Sequence, residues 1–173
     1  MDKIERIVLI GFRGSGKTTI GKELSRMLKW EYISTDNLVE LQINFSISDF
    51  VKKEGWPTFR RLEKEMIRRL EETMGVVIDC GGGVVEDPQN MACLEENSLI
   101  VWVDAALQDI LARLQNNASR PLLNQADLQQ DIEYNYRRRE PFYRRYSRLR
   151  VNTSRLGLPS ACEEIIAYLI DKS

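Results

Sequence analysis

Histidine is absent from all 173 residues. That excludes a serine–histidine–aspartate triad, a cysteine–histidine pair and any imidazole-held metal. Acid–base chemistry must fall to Asp, Glu or Lys. Cysteine is scarce: Cys80, Cys93 and Cys162 are widely spaced and form no C-x-x-C pair. A structural zinc site is thus disfavoured, and reduced cytoplasmic thiols are the expected state. No apolar run approaches the roughly 20 residues that a membrane-spanning helix needs. The opening MDKIERIVLIGF has no signal-peptide architecture. No membrane partner and a cytoplasmic location are expected. A net charge of −1 gives the whole chain no general attraction to nucleic acid.

What is present reads as one compact domain, 1–173, in which buried strands alternate with amphipathic helices. Arg6–Ile10 (RIVLI), Gly75–Cys80 (GVVIDC) and Leu99–Val103 are short, nearly continuous apolar runs, as expected of parallel strands covered on both faces. Glu31–Thr35 and Leu149–Asn152 read as shorter strands. Helices are expected from about Gly16 to Lys29, over Ser46–Glu54, over Thr58–Thr73, and from Asp87-Pro88. Further helices are expected from a cap at Asp104 to about Leu114, over Ala126–Tyr146, and over Pro159–Asp171. Residues 115–125 (QNNASRPLLNQ) read as a polar loop.

The strongest local signal is Gly11-Phe12-Arg13-Gly14-Ser15-Gly16-Lys17-Thr18, which matches G-x-x-x-x-G-K-[ST] between a buried strand and a helix. Glycines let backbone N–H groups turn inward around phosphates, and the helix start directs its positive dipole end at them. Gly14, Ser15, Gly16, Lys17, Thr18 and Thr19 are therefore expected to bind ATP. Lys17 would reach the β and γ phosphates, and the Thr18 hydroxyl would ligate Mg²⁺.

Further motifs follow in order: Thr35-Asp36 after the second strand, Phe59-Arg60-Arg61-Leu62-Glu63, Gly81-Gly82-Gly83, Arg120-Pro121-Leu122-Leu123, and Arg139-x-Pro141-x-Tyr143. With the phosphate loop, this set resembles the shikimate kinases of the nucleoside-monophosphate-kinase-like group, from Ile7 to about Pro159. The resemblance implies a three-layer α/β sandwich around a five-stranded parallel sheet in the order 2-3-1-4-5. It also implies a helical substrate-binding insertion at about 36–63 and a lid at about 115–126. The implied reaction is ATP-dependent phosphorylation of the 3-hydroxyl of shikimate, with Mg²⁺, in aromatic amino-acid biosynthesis. The expected state is a monomer that binds ATP and shikimate and no nucleic acid. Rival readings are another small-molecule kinase of this fold, of gluconate or quinate type, and a nucleotide-binding regulatory module of low turnover.

Arg60 and Arg139 suit a carboxylate, which a guanidinium grips with two parallel hydrogen bonds. The resemblance gives them the shikimate carboxylate. Glu63, three residues after Arg60 on the helix, is read as orienting it, with a surface i,i+3 pair as an equal alternative. Asp36 lies at the carboxyl edge of the sheet, where ligands of open α/β sheets bind. The resemblance makes it the contact, and candidate base, for the attacking hydroxyl; the plain alternative is a helix cap. Gly81, Gly82 and Gly83 allow close approach to the backbone. Arg120 matches the family's lid arginine. Arg113 and Pro159 match positions flanking the adenine, and Arg155 lies in the same region.

One position departs from the family. Shikimate kinases carry Asp-x-Asp after the second strand, whereas this chain has Ser34-Thr35-Asp36. The carboxylate that helps hold magnesium is missing. Val76-Val77-Ile78-Asp79 supplies another at the end of a buried strand, in the pattern of a metal-holding aspartate. Asp79 is therefore expected to take over the magnesium role, with a plain hydrogen bond to a neighbouring loop as the alternative. The segment 137–150 holds seven arginines among Phe142, Tyr143 and Tyr146. It is read as part anion-site wall and part solvated helix face, against a smaller expectation of RNA binding.

Overall fold

The computed structural model describes residues 4–115 and 125–172. Five parallel strands form one sheet: β1 (Arg6–Ile10), β2 (Glu31–Ser34), β3 (Val76–Asp79), β4 (Ser98–Asp104) and β5 (Leu149–Asn152). Their order is β2-β3-β1-β4-β5, as expected. The helices are α1 (Lys17–Leu28), α2 (Thr35–Ile43), α3 (Ile47–Arg68), α4 (Pro88–Glu95), α5 (Leu107–Gln115), α6 (Gln125–Tyr146) and α7 (Leu158–Lys172). A 3₁₀ turn spans Val84–Glu86.

The pleat divides the central strands between two cores. Ile7 and Leu9 join Val77, Leu99, Val101 and Val103 on the face covered by α1 and α7. Val8 and Ile10 join Ile78, Ile100 and Trp102 on the opposite face, against α3, α4, α5 and α6. Both faces are covered, so the strands read as continuous apolar runs rather than alternating ones. A third, smaller core of Val39, Phe59 and Met66 binds α2 to α3.

Arg6 sits in β1 at 2% exposure. A buried cation is costly unless its donors are satisfied. Here Nε donates to Ser98 Oγ (2.7 Å) and the Glu96 carbonyl (3.1 Å). The Nη groups donate to the carbonyls of Leu70, Glu71 and Cys93, each at 2.7 Å. Arg6 thus ties the chain ends of α3 and α4 to the foot of the sheet. The carboxyl edges of the strands are left for ligands.

The two helices expected on either side of residues 55–57 both form; they meet at a kink within α3, where Gly55 has non-helical dihedrals (φ 81°, ψ 163°). Two other local readings are corrected. Asp104 is the last residue of β4 and not the cap of α5, which begins at Leu107. Its carboxylate instead accepts from Tyr136 (2.8 Å) and from Arg150 Nη2 (2.6 Å). Asp36 does not cap α2. Ser34 does, its Oγ accepting from the Asn37 N–H at 3.3 Å. Among the described residues, no helix is long and apolar enough to cross a membrane.

Candidate active site

The phosphate loop leaves β1 at Gly11, whose φ is 143°. A side chain there would stand 2.1 Å from the Val103 carbonyl, so only glycine lets the loop pass over β4. The loop ends at Gly16, which precedes α1 without any side-chain cap. The first-turn N–H groups of α1 therefore face outward as anion donors. Lys17 is buried at 8% exposure, and its ammonium donates to the carbonyls of Gly11 (2.9 Å) and Phe12 (3.0 Å). Burial lowers its pKa, while Asp79 and Asp36 pull it back up. The Ser15 hydroxyl is buried without a hydrogen-bond partner among the described residues. Thr19 is exposed on the same helix turn.

Thr18 and Asp79 meet. The Thr18 hydroxyl donates to Asp79 Oδ2 at 2.7 Å, and the Tyr32 hydroxyl donates to the same oxygen at 2.8 Å. Ser34 and Asp79 are register partners across β2 and β3. The carboxylate missing from position 34 therefore stands one strand over on the same rung.

Beyond the phosphate loop lies a cavity of about 600 Å³ whose lining includes Phe12, Asp36, Trp56, Arg60, Glu63 and Arg139. Its floor is the glycine turn. Thr35 secures that turn to α2 by accepting from the Gly81 N–H at 3.0 Å. Tyr143 secures it to α6 by donating to the Gly82 carbonyl at 2.5 Å. A side chain on Gly81 would meet Asp36 Oδ1 at 2.5 Å and Glu63 Oε1 at 3.1 Å. One on Gly83 would meet the Arg60 guanidinium at 2.2 Å. Two of the three glycines therefore make room for the protein's own Asp36 and Arg60. A side chain on Gly82 would meet its nearest neighbours only at 3.4 Å and beyond.

Each cavity arginine is oriented by an acid. Arg60 Nη1 donates to Glu63 Oε2 at 2.7 Å, and the guanidinium stacks beside the rings of Phe59 and Trp56. Glu63 is 1% exposed, and its Oε1 has no hydrogen-bond partner among the described residues. Burial pushes the Glu63 carboxyl up, against the pull of Arg60. Arg139 Nε donates to Glu86, which Arg138 also engages. Burial likewise raises the pKa of Asp36. Lys17 and Arg60 oppose the rise, and Asp79 and Glu40 add to it.

The other expected nucleotide residues lie apart from this cavity. Arg113 Nη1 donates to the Gly14 carbonyl (3.0 Å) and to Thr153 Oγ1 (3.1 Å), fastening α5 to the phosphate loop. Arg155 and Pro159 are exposed beyond β5. Arg120 and nearly all of the expected lid, residues 116–124, lie outside the described residues. Much of the Arg-rich segment is engaged with acids: Arg137 with Glu133, Arg138 and Arg139 with Glu86, Arg144 with Glu140, and Arg150 with Asp104.

The family model for shikimate kinase matches residues 13–171. The chain belongs to the shikimate kinase family. It is 38% identical to the shikimate kinase of Caldicellulosiruptor bescii, over 98% of both chains. It is 35% identical to that of Thermoanaerobacter pseudethanolicus, over 96% of this chain and 97% of the relative. Among solved structures, shikimate kinase from Aquifex aeolicus aligns with a TM-score of 0.82 at 29% identity, covering 96% of this chain and 97% of that one. The fold also matches the Acinetobacter baumannii shikimate kinase in complex with shikimate. There the TM-score is 0.90 at 24% identity, with 99% and 96% covered.

Within this family frame, sequence reasoning had missed Tyr32, Trp56 and Glu86. A usable signal existed for Tyr32: it shares a strand face with Ser34, two residues on. Glu86 carries none, because its arginine partners lie more than fifty residues further along the chain.

Proposed function

We infer that this chain transfers the γ-phosphoryl group of ATP to the 3-hydroxyl of shikimate. The observation that carries the reading is the juxtaposition of Asp36 and Arg60 over the glycine turn, in a cavity adjoining the phosphate loop. A ring-sized acidic alcohol fits a cavity of this volume. Its carboxylate pairs with Arg60 and Arg139, which Glu63 and Glu86 hold in plane. Its hydroxyl faces Asp36. Asp36 accepts the hydroxyl proton as the acceptor oxygen bonds to the γ-phosphorus. The bond from that phosphorus to the bridging oxygen breaks, and ADP leaves. Lys17 stabilises the negative charge of the transferring group, and Arg120 adds to this from the lid segment. Arg113, Arg155 and Pro159 form the nucleoside side.

Among the described residues, no group of three or more Cys, Asp or Glu side chains is arranged to hold a metal by itself. The paired oxygens of Thr18 and Asp79 nonetheless fit a hard cation that arrives with the nucleotide. Mg²⁺ held there by Thr18 and Asp79 would supply positive charge to offset the charge developing on the transferring phosphoryl group.

The direct test is ADP release from MgATP with shikimate, compared with quinate, gluconate and nucleoside monophosphates. Turnover should depend on shikimate. Turnover with one of the other acceptors alone, or ATP binding without turnover, would overturn the reading in favour of a related kinase or a regulatory module.

Gly83→Ala gives a sharper geometric check. The backbone at Gly83 (φ −97°) accepts alanine, but the new methyl would displace the Arg60 guanidinium. Only the far end of a flexible side chain must move, but the buried Glu63 carboxylate loses its Arg60 partner, so the melting temperature should fall modestly while the fold is kept. Loss of one charge-assisted pairing should raise the KM for shikimate about 10- to 100-fold, leaving the KM for ATP in place. Steady-state kinetics with each substrate varied reads this out.

A further inference from the structure

Tyr32 has no role in the phosphoryl-transfer scheme above, yet its hydroxyl reaches the centre of the metal half-site. Both the Tyr32 and the Thr18 hydroxyl donate to Asp79 Oδ2, at 2.8 and 2.7 Å. A hydroxyl binds a cation through its lone pairs, so a ligand hydroxyl must direct its proton elsewhere. Asp79 Oδ2 takes the Thr18 proton and leaves the Thr18 lone pairs for the cation. That arrangement holds only while a carboxylate oxygen of Asp79 is kept within reach of the Thr18 hydroxyl.

The ring of Tyr32 is seated for this purpose. It lies against α1 at Gly21, where even a Cβ would stand 2.8 Å from Tyr32 Cε2 and 3.1 Å from Leu9 Cδ1. β2 places Tyr32 opposite Val77, one pleat before the Ser34–Asp79 rung and on the same face of the sheet. The Ser34 hydroxyl accepts the Asn37 N–H at the start of α2.

We propose that Tyr32 is a positioning residue for the magnesium half-site: seated in the notch at Gly21, it locks the Asp79 carboxylate so that Thr18 presents its lone pairs to the cation. The proposal rests on the reading that Thr18 and Asp79 face Mg²⁺. Partners beyond the immediate ligands commonly govern metal affinity in this way.

The experiment is a titration of Mn²⁺ into the enzyme with saturating ADP, followed by electron paramagnetic resonance. It compares wild type, Tyr32→Phe, Asp79→Asn and the double variant. Phenylalanine keeps the ring in its notch and removes only the hydroxyl. Asp79→Asn should weaken Mn²⁺ binding about 10- to 100-fold, and Tyr32→Phe about tenfold. In the Asp79→Asn background, Tyr32→Phe should add nothing, since its effect runs through the carboxylate. Two results overturn the positioning role while leaving the metal reading intact. One is wild-type Mn²⁺ affinity in Tyr32→Phe beside a weakened Asp79→Asn. The other is a full additional loss in the double variant. Unchanged affinity in both single variants overturns the metal reading and the proposal together.

Discussion

Asp36→Asn is expected to lower kcat by about 10²- to 10⁴-fold while raising the melting temperature at neutral pH. On the proposed mechanism, the first effect follows from removing the base for the hydroxyl proton. The second follows from the same burial that equips Asp36 for the task. Its folded pKa lies above the ordinary carboxylate value because desolvation outweighs the attraction of Lys17 and Arg60. For a group with a raised folded pKa, the stability contribution is complete below the unfolded value and is lost as pH rises through the folded value. At neutral pH wild type carries that penalty, and asparagine does not. The stability difference should close as pH falls toward about 4, where the unfolded carboxyl protonates. Activity moves in the opposite sense. The base works only when ionised, so wild-type kcat should fall as pH drops through a pKa displaced upward, and the residual activity of Asp36→Asn should lack that limb. Melting curves and kcat profiles across pH read both. A variant with unchanged kcat would remove Asp36 from the chemistry.

The fold and the phosphate loop were legible because their signals are local. Strands buried on both faces carry continuous apolar runs, and the loop is a contiguous string of eight residues whose conformation its own glycines dictate. Asp36, Arg60 and the glycine turn were legible through the order of separate motifs. What failed was long-range pairing. An Asp after an apolar run reads as a cap, but Asp104 is claimed by Tyr136, 32 residues on, and by Arg150, 46 residues on. Tyr32 reads as strand filler until β3 brings Asp79 beside it from 47 residues away. Three glycines in a row read as open space for a ligand, whereas Asp36 and Arg60 occupy the space over two of them. In each case the residue type was informative, and its partner was set by sheet order and register.

Lys17→Met should lower kcat by about 10²- to 10³-fold through loss of charge stabilisation at the transferring phosphoryl group. It should also abolish most of the melting-temperature rise that wild type shows on adding MgATP. Methionine fits the buried stem and places no charge beside the carbonyls of Gly11 and Phe12, to which the ammonium now donates. Burial depresses the Lys17 pKa. A base with a depressed folded pKa gains stability as pH rises through that region, so at neutral pH its cation is a liability to the unliganded fold. The unliganded variant should therefore melt no lower than wild type, which separates loss of function from loss of structure. The decisive readout lies at Asp36. Lys17 is the strongest influence holding the Asp36 pKa down against burial. Removing it should move the acid limb of the residual kcat profile further upward. In a cycle with Asp36→Asn the two losses should fall short of additive, because each charge supports the other. An unmoved limb and strictly additive losses would mean that Lys17 and Asp36 do not act as one electrostatic unit across the junction of phosphate loop and cavity.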